Sequence, residues 1–575
     1  MTGKVWRIAE HQNALSCELA GNLGISNLLA RLLVNRGFTE PEQAQLFLSP
    51  TLAQLHDPFL FTAMRRAVER IGRAIANQEY VLIYGDYDVD GITSVSLMIR
   101  VLARLLPGKL FYYLPKRLEE GYGLHLGSIE KALARGVALI ITVDCGITAA
   151  AEADYLKEHG IDLIITDHHE PQETIPAAYA IIDPKLSGAG YPFPQLAGVG
   201  VAFKLLQGLA AVFPEIRERL FDNLDLVAFG TVADIVPLLD ENRVLVKYGL
   251  ERVSQTGNIG LRALIQTAGL ADRTITSGHI GYVLAPRINA AGRMGNPSIG
   301  VRLFLTNDPV QALELAKQLE QENLNRQNTE NQVLIEAQQL LAAAPELADE
   351  HGLVLAGEGW HLGVIGIVAS RLVEIYNKPV ILIGLDGDEG RGSGRSIHGF
   401  NLFNAIDHCS DSLIRFGGHE FAAGLSIARE EIPRFRQAFQ EYAKANLTPE
   451  KLRPMLNIES LLDLNRVTLD LAKELEQLAP CGSANPTPVF GCRAVRLVDY
   501  KGVGENGKHL KLRVADQQVT REGIGFNLGF VLEELASTSE LDLAFSLEEN
   551  RWNGSVQIQL NLKDVVRRER GRGTD

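Results

Sequence analysis

The chain lacks the features that mark a secreted or membrane-bound protein. Only five of its 575 residues are cysteines, an odd number, and no two of them form a C-x-x-C pair. This scarcity argues against a disulfide framework and a structural zinc site, and it indicates a reducing compartment. Residues 1–13 contain no apolar signal-peptide core, and no apolar run is long enough to span a bilayer. We therefore expect a soluble, cytoplasmic protein that does not bind membranes.

A surplus of positive charge is missing as well. The chain has 56 Lys and Arg against 70 Asp and Glu, a formal net charge of −14 at pH 7. A net negative charge is not typical of nucleic-acid-binding proteins, so any such binding must use local basic clusters or metal ions that bridge to phosphate. The length predicts three or four domains of about 150 residues each.

The most informative stretch is an apolar run that ends in alternating acids. Residues 81–84 are apolar or aromatic, and they are followed by three aspartates, Asp86, Asp88 and Asp90. The pattern predicts a buried strand, an acidic turn and a helix over residues 91–105. Carboxylates at the carboxyl end of a strand suit Mg²⁺ or Mn²⁺. A calcium loop is disfavoured because the twelfth residue counted from Asp86 is Leu97 rather than glutamate; a solvated acidic turn remains the alternative.

Acidic residues follow four of the five strands predicted in this region. After the first strand, strands over residues 110–114, 137–143, 161–166 and 179–182 alternate with helical segments, which predicts an α/β domain with a mostly parallel sheet. Three further acids follow such strands: Asp144, Asp167 and Asp183. Parallel strands have their carboxyl ends at one edge, so we expect these acids to converge with Asp86. His168 and His169 strengthen the case because imidazole suits Mn²⁺.

A further acid lies in an apolar segment. Residues 225–238 read as a buried helix that Pro237 stops, and Asp234 lies near its end. A buried carboxylate must be paired or bind a metal. The alternative is a salt bridge at the helix terminus.

Together these motifs resemble the DHH phosphoesterase superfamily, and within it most closely the RecJ single-stranded-DNA exonucleases. The resemblance rests on four motifs: D-Y-D-V-D-G from Asp86, V-D-C-G around Asp144, D-H-H from Asp167 and A-D-I-V-P-L around Asp234. Later motifs extend it over nearly the whole chain. More distant relatives have a histidine where this chain has Tyr84, which is a departure from the superfamily pattern.

The resemblance implies a metal centre with two Mg²⁺ or Mn²⁺ ions. The implied ligands are Asp88, Asp90, Asp144, His168 and Asp234, with Asp144 between the two ions. It also places Asp86, Asp167 and His169 in the catalytic set, with His169 beside the scissile phosphate rather than on a metal. Because of Tyr84, Asp86 is either a substitute ligand or a group behind the ligands. Two such ions assist hydrolysis of a phosphodiester without a covalent nucleophile.

Residues 285–295 are predicted to form a small-residue-rich loop with two arginines, Arg287 and Arg293. Such a loop lets backbone approach a phosphate while the guanidinium groups contact it; a packed loop with two surface salt bridges is the alternative. A long helix then starts near Pro309. Its polar middle, residues 321–332, predicts a solvated connection between two lobes.

The second lobe contains two glycine-rich motifs, the second of which is predicted to lie in a flexible turn. The first includes Ser393, Arg395 and Ser396, and the second runs through Gly417 and Gly418 to His419. Each is weak evidence by itself, but in this order they resemble the DHHA1-type substrate-binding domain that accompanies DHH domains. The resemblance implies that Arg395 and Ser393 hold the 5′ end and that His419 faces the active cleft.

From about residue 454 the chain changes to short alternating strands, which suggests a small barrel, and the resemblance favours an OB fold. Six basic residues fit a groove along a single strand, although a solvated strand face is the alternative: Arg493, Arg496, Lys501, Lys508, Lys511 and Arg513. The basic tail, residues 567–572, is expected to be disordered.

These expectations give five domains and one preferred activity. The domains are an N-terminal helical segment (1–50), a DHH catalytic domain (51–305), a connecting helix (306–351), a DHHA1-type domain (352–447) and an OB-like domain (448–575). The activity is metal-dependent degradation of single-stranded DNA from the 5′ end to mononucleotides, in repair and recombination. A phosphodiesterase for small nucleotides or short oligonucleotides, and a catalytically inactive replication-fork scaffold, are the alternatives. The resemblance also implies a monomer that works with a single-stranded-DNA-binding protein and a RecQ-type helicase.

Overall fold

A computed structural model describes residues 3–568 apart from 118, 537 and 553–554. The described residues fall into two compact units. One is formed by the described parts of Met1–Ser49, Thr448–Cys481 and Asn485–Asp575, and the other by those of Pro50–Leu447 and Gly482–Ala484. Within these described parts, no helix combines the length and apolarity that crossing a membrane requires.

The chain begins with a short strand and three helices: β1 (Val5–Ile8), α1 (Asn13–Leu23), α2 (Asn27–Asn35) and α3 (Pro41–Leu48). β1 pairs in parallel with the strand Met455–Ile458. The sequence pattern predicts only helix here, because a four-residue strand is too short to show a period and its partner lies far along the chain.

The larger unit contains a wholly parallel sheet of five strands in the order β3-β2-β4-β5-β6. Its strands and their intervening helices are α4 (Met64–Ala76), β2 (Tyr80–Tyr84), α5 (Val89–Leu102), β3 (Leu110–Tyr113), α6 (Leu126–Ala134), β4 (Val137–Val143), α7 (Ala150–Glu158), β5 (Asp162–Thr166) and β6 (Ala180–Ile182). The predicted parallel α/β architecture is confirmed. Since β2, β4 and β5 are neighbours, their carboxyl ends lie side by side at one edge.

Both faces of this sheet are buried, as the near-continuous apolar strands predict. Ile83 and Ile141 belong to the core that contains α5, whereas Leu82 and Ile140 belong to a second core with α6 and α7. The sheet is thus rigid on both sides, which suits an edge that must hold several like charges close together.

A helical layer follows and completes this part of the unit. It consists of α8 (Gly198–Ala210), α9 (Arg217–Asp222), α10 (Leu224–Ala233), α11 (Asp240–Ser254), α12 (Ile259–Thr267), α13 (Ser277–His279), a π-helical turn (Ile280–Leu284), α14 (Ala285–Met294), α15 (Ser298–Leu305) and α16 (Pro309–Ala343). The predicted loop over 285–295 is wrong, because this segment is α14. Pro286 lies in its first turn, where proline is favoured, and only Gly295 at its end is left-handed, with φ of 116°.

The expectation of a solvated middle in α16 is wrong for one face of the helix, although six of the twelve residues 321–332 are exposed. Asn323, Arg326 and Glu330 are buried there. Arg326 Nη1 lies 2.6 Å from Glu330 Oε2, and Arg371 Nε lies 2.6 Å from Glu330 Oε1. Burial is tolerated because each charge has an opposite partner. Arg371 lies on the helix Leu362–Tyr376 of the second lobe, so this polar stretch ties the two lobes together.

The second lobe has a five-stranded sheet in the order β10-β11-β9-β8-β7. Its elements are α17 (Pro345–Asp349), β7 (Leu353–Glu358), α18 (Leu362–Tyr376), β8 (Val380–Asp386), β9 (Glu389–Arg395), α19 (Leu402–His408), β10 (Arg415–Gly418), β11 (Ala422–Ala428) and α20 (Ile432–Asn446). Ser393 and Arg395 lie in β9, a strand that the sequence pattern does not predict. The glycines of β9 serve packing, since a Cβ atom on Gly392 would stand 2.8 Å from Leu425.

The remaining strands form a closed five-stranded barrel, β14-β15-β16-β18-β17, in which β17 pairs back onto β14. The elements are β12 (Met455–Ile458), β13 (Ser460–Leu461), α21 (Leu469–Leu475), β14 (Phe490–Val503), β15 (His509–Ala515), β16 (Thr520–Gly525), α22 (Leu532–Leu535), β17 (Glu540–Trp552) and β18 (Ser555–Arg567). The predicted OB-like barrel is confirmed. Of the predicted disordered tail, Arg567 ends β18, and residues 569–575 lie outside the described residues.

Candidate metal centre and phosphate site

The acidic turn after β2 is shaped by the start of α5. Asp88 caps this helix, because its Oδ1 accepts hydrogen bonds from the amides of Asp90 (2.9 Å) and Gly91 (3.1 Å). Gly91 is required here, since a Cβ atom would stand 2.5 Å from the carbonyl oxygen of Asp86. The turn is therefore tight enough to keep Asp86, Asp88 and Asp90 at one place.

A second helix start holds Asp90. The amides of Gly198 and Val199, at the beginning of α8, donate to its carboxylate at 2.6 and 2.8 Å. These bonds favour the ionised form, yet burial and the neighbouring Asp88 dominate and raise the pKa of Asp90 to about 7. The site thus presents more negative charge than the protein alone compensates.

Side chains from separate elements converge on the ring of His168. Its Nε2 lies 3.1 Å from Asp144 Oδ1, 3.7 Å from Asp234 Oδ2 and 3.9 Å from Asp90 Oδ2. Burial and the neighbouring His169 lower the pKa of His168 to about 3. The imidazole is therefore neutral and can offer a lone pair to a metal.

The same cluster contains buried polar atoms with no hydrogen-bond partner among the described residues. They are Asp86 Oδ1, Asp144 Oδ1, His168 Nε2 and Asp234 Oδ2. Burial and mutual repulsion raise the pKa of Asp86, Asp144 and Asp234 well above the usual range. Buried groups of this kind are normally satisfied, and carboxylate oxygens with one imidazole are the donor set that Mg²⁺ or Mn²⁺ takes. The residues present therefore fit divalent cations.

Three overlapping groups of side chains are close enough to share an ion. Each brings its ligand atoms within 4.8 Å of one another: Asp90, His168 and Asp234; Asp86, Asp88 and Asp144; and Asp144, His168 and His169. All five predicted ligands are thus brought together with Asp86. Asp144 belongs to two of the groups. His169, expected beside the phosphate, lies within reach of the third.

A hydrogen-bonded chain beside the cluster holds His169. Asp167 Oδ1 lies 2.7 Å from His169 Nδ1, and Asp167 also accepts bonds from the amides of Ile147 (2.9 Å) and His168 (2.7 Å). Burial lowers the pKa of His169, but the bond to Asp167 outweighs it and raises the pKa overall. The hydroxyl of Tyr122 lies 2.9 Å from the same Nδ1. The sequence pattern does not predict a role for Tyr122; the signal that it offers is the position of this residue between two glycines after β3.

Arginines from both lobes lie near the acidic cluster. Burial, with the positive charges of Arg117, Arg326 and Arg395, lowers the pKa of Arg293 to about 10, while Asp88 opposes that shift. Arg395 Nη1 donates to Ser393 Oγ at 3.1 Å and to the carbonyl oxygen of Gly394 at 2.7 Å. Mutual repulsion of this kind marks a place for an anion. Arg117 and Arg326 were not predicted, although Arg117 follows the one strand that lacks a terminal acid.

Other predicted phosphate-binding residues are engaged elsewhere. Arg287 Nε pairs with Glu320 Oε2 at 2.5 Å, as the salt-bridge alternative predicts. Ser396 Oγ donates to the carbonyl oxygen of Phe400 at 2.7 Å. Gly417 and Gly418 pair within the sheet as part of β10. His419 uses its amide to reach Ala422 at 2.8 Å within its own turn. No described contact joins these residues to the acidic cluster.

In the barrel, the predicted basic residues occupy β14, β15 and the turn between them. Lys501 lies directly opposite Lys511 across the two strands. Like charges in such a pair are unfavourable, and only Lys511 has an acidic neighbour, Glu522 at 3.0 Å. Elsewhere on these strands basic residues lie opposite acids, with Arg496 opposite Glu540 and Arg513 opposite Asp499 and Glu522, so it is at Lys501 that positive charge faces positive charge.

Three protein-family models match the chain. They are the DHH family, N-terminal domain, over residues 80–231, the DHHA1 domain over 349–445 and the RecJ OB domain over 458–564. The first contains Asp86 to Asp225 and hence most of the metal cluster, and the second contains Ser393 and Arg395.

Characterised relatives match almost from end to end. The single-stranded-DNA-specific exonuclease RecJ of Bacillus subtilis is 39% identical over 98% of this chain and 70% of its own length. The enzyme of the same name from Escherichia coli is 34% identical over 94% of this chain and 95% of its own. The crystal structure of RecJ in complex with Mn²⁺ from Thermus thermophilus superimposes with a TM-score of 0.82 at 31% identity, over 98% of this chain and 80% of that one. With this agreement in motifs, fold and sequence, the chain belongs to the RecJ family of the DHH superfamily.

Proposed function

We propose that this protein is an exonuclease that degrades single-stranded DNA from the 5′ end to 5′-mononucleotides, in DNA repair and recombination, with Mg²⁺ or Mn²⁺ as cofactor. One observation carries the proposal: buried oxygen and nitrogen atoms that find no hydrogen-bond partner among the described residues, on Asp86, Asp144, His168 and Asp234, lie within one cluster. RecJ structures from Thermus thermophilus contain Mn²⁺ or Mg²⁺, which agrees with this donor set.

Asp88, Asp90, Asp144, His168 and Asp234 hold the two ions in this proposal, with Asp144 shared between them. When bound, such ions favour ionisation of an attacking water and neutralise charge on the phosphoryl oxygens. Asp86 supplements the ligand set. The five carboxylates of this set repel a phosphate, and bound cations would offset their charge.

His169 acts on the substrate side of the cluster. Asp167 fixes its ring through Nδ1 at 2.7 Å, which leaves Nε2 as the atom that faces a scissile phosphate. The raised pKa of His169 favours its protonated form, so it can donate a hydrogen bond to a phosphoryl oxygen or a proton to the leaving oxygen.

The arginines bind the 5′ end of the DNA strand in this proposal. Arg293, Arg395 and Ser393 bind the 5′ phosphate, with Arg117 and Arg326 adding positive charge. A fixed 5′ anchor near the metal centre defines which bond is cut and hence the direction of degradation. Further contacts with the strand, outside the immediate cluster, come from Arg287, Ser396, Gly417, Gly418 and His419.

The remaining parts follow the same scheme. The chain has five parts in this proposal: an N-terminal helical segment (1–50), a DHH domain (51–305), a connecting helix (306–351), a DHHA1-type domain (352–447) and an OB-like domain (448–575). The barrel binds the strand through the basic residues of β14, β15 and the turn between them. The protein works in the cytoplasm as a monomer, with a single-stranded-DNA-binding protein and a RecQ-type helicase supplying accessible strands.

The deciding experiment uses single-stranded DNA labelled at the 5′ or the 3′ end, with Mn²⁺, with Mg²⁺ or with a chelator, for the wild type and Asp144→Ala. We expect early release of mononucleotides from the 5′ end, only with metal and only by the wild type. Cleavage of dinucleotides but not of long strands would instead favour a small-molecule phosphodiesterase. Absence of turnover on both would favour a scaffold.

A further inference from the structure

The turn after Asp234 exposes a strained apolar side chain. Ile235 has a φ of 63°, in the left-handed region that β-branched residues rarely adopt. Its side chain is 74% exposed. Strain and apolar exposure are both unfavourable, and glycine or asparagine would avoid them at this position. Strain that persists beside a site is a reason to look for a function.

The surrounding structure imposes this conformation. Asn242 is buried and donates through Nδ2 to the carbonyl oxygen of Pro237 at 3.0 Å. Beside it, the fully buried Glu241 lies 2.9 Å from the Lys204 ammonium group, which secures the start of α11. The turn is therefore fixed between α10 and α11, and Ile235 points to solvent because its backbone leaves no other direction.

A second exposed apolar residue lies at the same end of α10. Tyr282 is 88% exposed and belongs to the π-helical turn Ile280–Leu284. This turn packs on α10, since a Cβ atom on Gly281 would stand 3.9 Å from Val232. Val232 lies in the last turn of α10, which ends at Ala233, and Ile235 follows that end by two residues. Among the described residues, the hydroxyl of Tyr282 has no hydrogen-bond partner. Irregular π turns of this kind often occur at functional sites.

We propose that Ile235 and Tyr282 form a base-contacting surface, which receives an unpaired nucleobase of the DNA strand close to the bond that is cut. The proposal rests on the proposed nuclease function. Asp234 immediately precedes Ile235, so whatever contacts Ile235 lies beside the metal cluster. The phosphates of the strand meet the arginines and cations, which leaves the flat faces of the bases for an aliphatic and an aromatic side chain. Paired bases are stacked on their neighbours and cannot offer those faces, so this surface also favours single strands.

The first test pairs Tyr282→Ala with removal of single bases from the substrate. KM and kcat are measured on a 5′-phosphorylated oligothymidylate and on a series with one abasic position each. We expect Tyr282→Ala to raise KM about five- to tenfold on the intact strand. At one abasic position the wild type and the variant then show the same KM, and Tyr282→Phe keeps most of the wild-type affinity. Independent effects of the variant and the missing base at every position would overturn the proposal.

The second test uses Ile235→Asn, which tolerates the left-handed conformation and removes the apolar group. We expect its thermal midpoint to be equal to or above that of the wild type, because strain is relieved, while KM for the strand rises several-fold. Val310→Asn is the control, because Val310 is 67% exposed at the start of α16, and we expect it to leave KM unchanged. A stabilised Ile235→Asn with wild-type KM would overturn the role of Ile235 and leave a protein partner as the occupant. Failure of the proposed function itself would look different, since the wild type would then not cleave the strand at all.

Discussion

Gly198 and Asp144 are packed so tightly that a Cβ atom on Gly198 would overlap the carboxylate of Asp144. The same turn of α8 donates backbone hydrogen bonds to Asp90. One helix start therefore sets the positions of two carboxylates, and it can do so only because residue 198 has no side chain.

Gly198→Ala is expected to lower kcat/KM with Mn²⁺ by about 10- to 100-fold, the usual effect of disturbing groups that hold metal ligands. The added methyl group must displace Asp144. Gly200→Ala, in the same helix, is the matched control, because its Cβ would meet only the Leu196 side chain at 3.2 Å. Equal losses in both variants would show that α8 tolerates no substitution and would remove Gly198 from the argument.

The metal-free protein is expected to lose stability as the pH rises. The pKa of Asp90 is about 7 when folded against an ordinary value of 3.8, so the folded state retains a proton that the unfolded state has lost. This stabilising contribution is complete below the lower value and is lost as the pH passes the higher one. Thermal midpoints in chelator should fall from pH 6.5 to pH 8. The pKa of His168 is lowered from its ordinary value of 6.5 to about 3, so this side chain stays neutral in the folded protein throughout that range.

Two comparisons check that assignment. Saturating Mn²⁺ or Mg²⁺ should flatten the dependence on pH, because the cation then offsets the carboxylates. Asp90→Asn should reduce the fall in chelator without abolishing it, because the raised pKa values of Asp86, Asp144 and Asp234 act in the same direction. A metal-free wild type whose midpoint stays level from pH 6.5 to pH 8 would contradict the raised pKa of Asp90.

Tyr122→Phe is expected to lower kcat about five- to tenfold, the effect of one lost hydrogen bond, with little change in KM or thermal midpoint. The hydroxyl lies 2.9 Å from His169 Nδ1 and 3.3 Å from the carbonyl oxygen of Asp144. It thus holds both the ring that faces substrate and a backbone in the left-handed region, with φ of 61° at Asp144. Tyr179→Phe is the control, because its bond with Arg73, 2.8 Å, lies at the opposite edge of the sheet. An unchanged kcat in Tyr122→Phe would exclude this role.

Arg395→Ala is expected to raise KM for 5′-phosphorylated strands by about 10- to 100-fold, as for the loss of charge-assisted hydrogen bonds. Strands with a 5′ hydroxyl should be affected far less, because they lack the anion. Arg391→Ala serves as control, since Arg391 is exposed at the other end of β9. If Arg395→Ala impaired both kinds of strand equally, the arginine would contact the chain's interior phosphates rather than its end.

The sequence predicts the acidic edge well because the signal there is local. Asp86, Asp144 and Asp167 each follow an apolar run, and parallel strands bring their carboxyl ends to the same edge of the sheet. The OB-like barrel is predicted for a similar reason, apart from β16, whose residues 520–525 are too polar and glycine-rich to show a strand period.

The errors arise where distant residues decide the structure. Ser393 and Arg395 lie in a strand because neighbouring strands pair with glycine-rich β9, which no local pattern indicates. Glu330 is buried because it pairs with Arg326 on its own helix and with Arg371 on another helix. Arg117 and Tyr122 come close to the site only through the path of the chain after β3, so composition and period could not identify them.

The connecting helix α16, which joins the two lobes, limits how this family member can vary in length. A residue inserted into α16 ahead of Glu330 would rotate everything beyond it by about 100° and advance it by about 1.5 Å. Glu330 and Arg371 would turn together, and the arginines of the second lobe would lose their alignment with the metal cluster. Insertions of about seven or eleven residues would restore the helical phase, but they would lengthen the helix by about 10 to 16 Å and would not restore this alignment. We therefore expect functional variants to differ by substitutions within this 35-residue helix while its length stays constant.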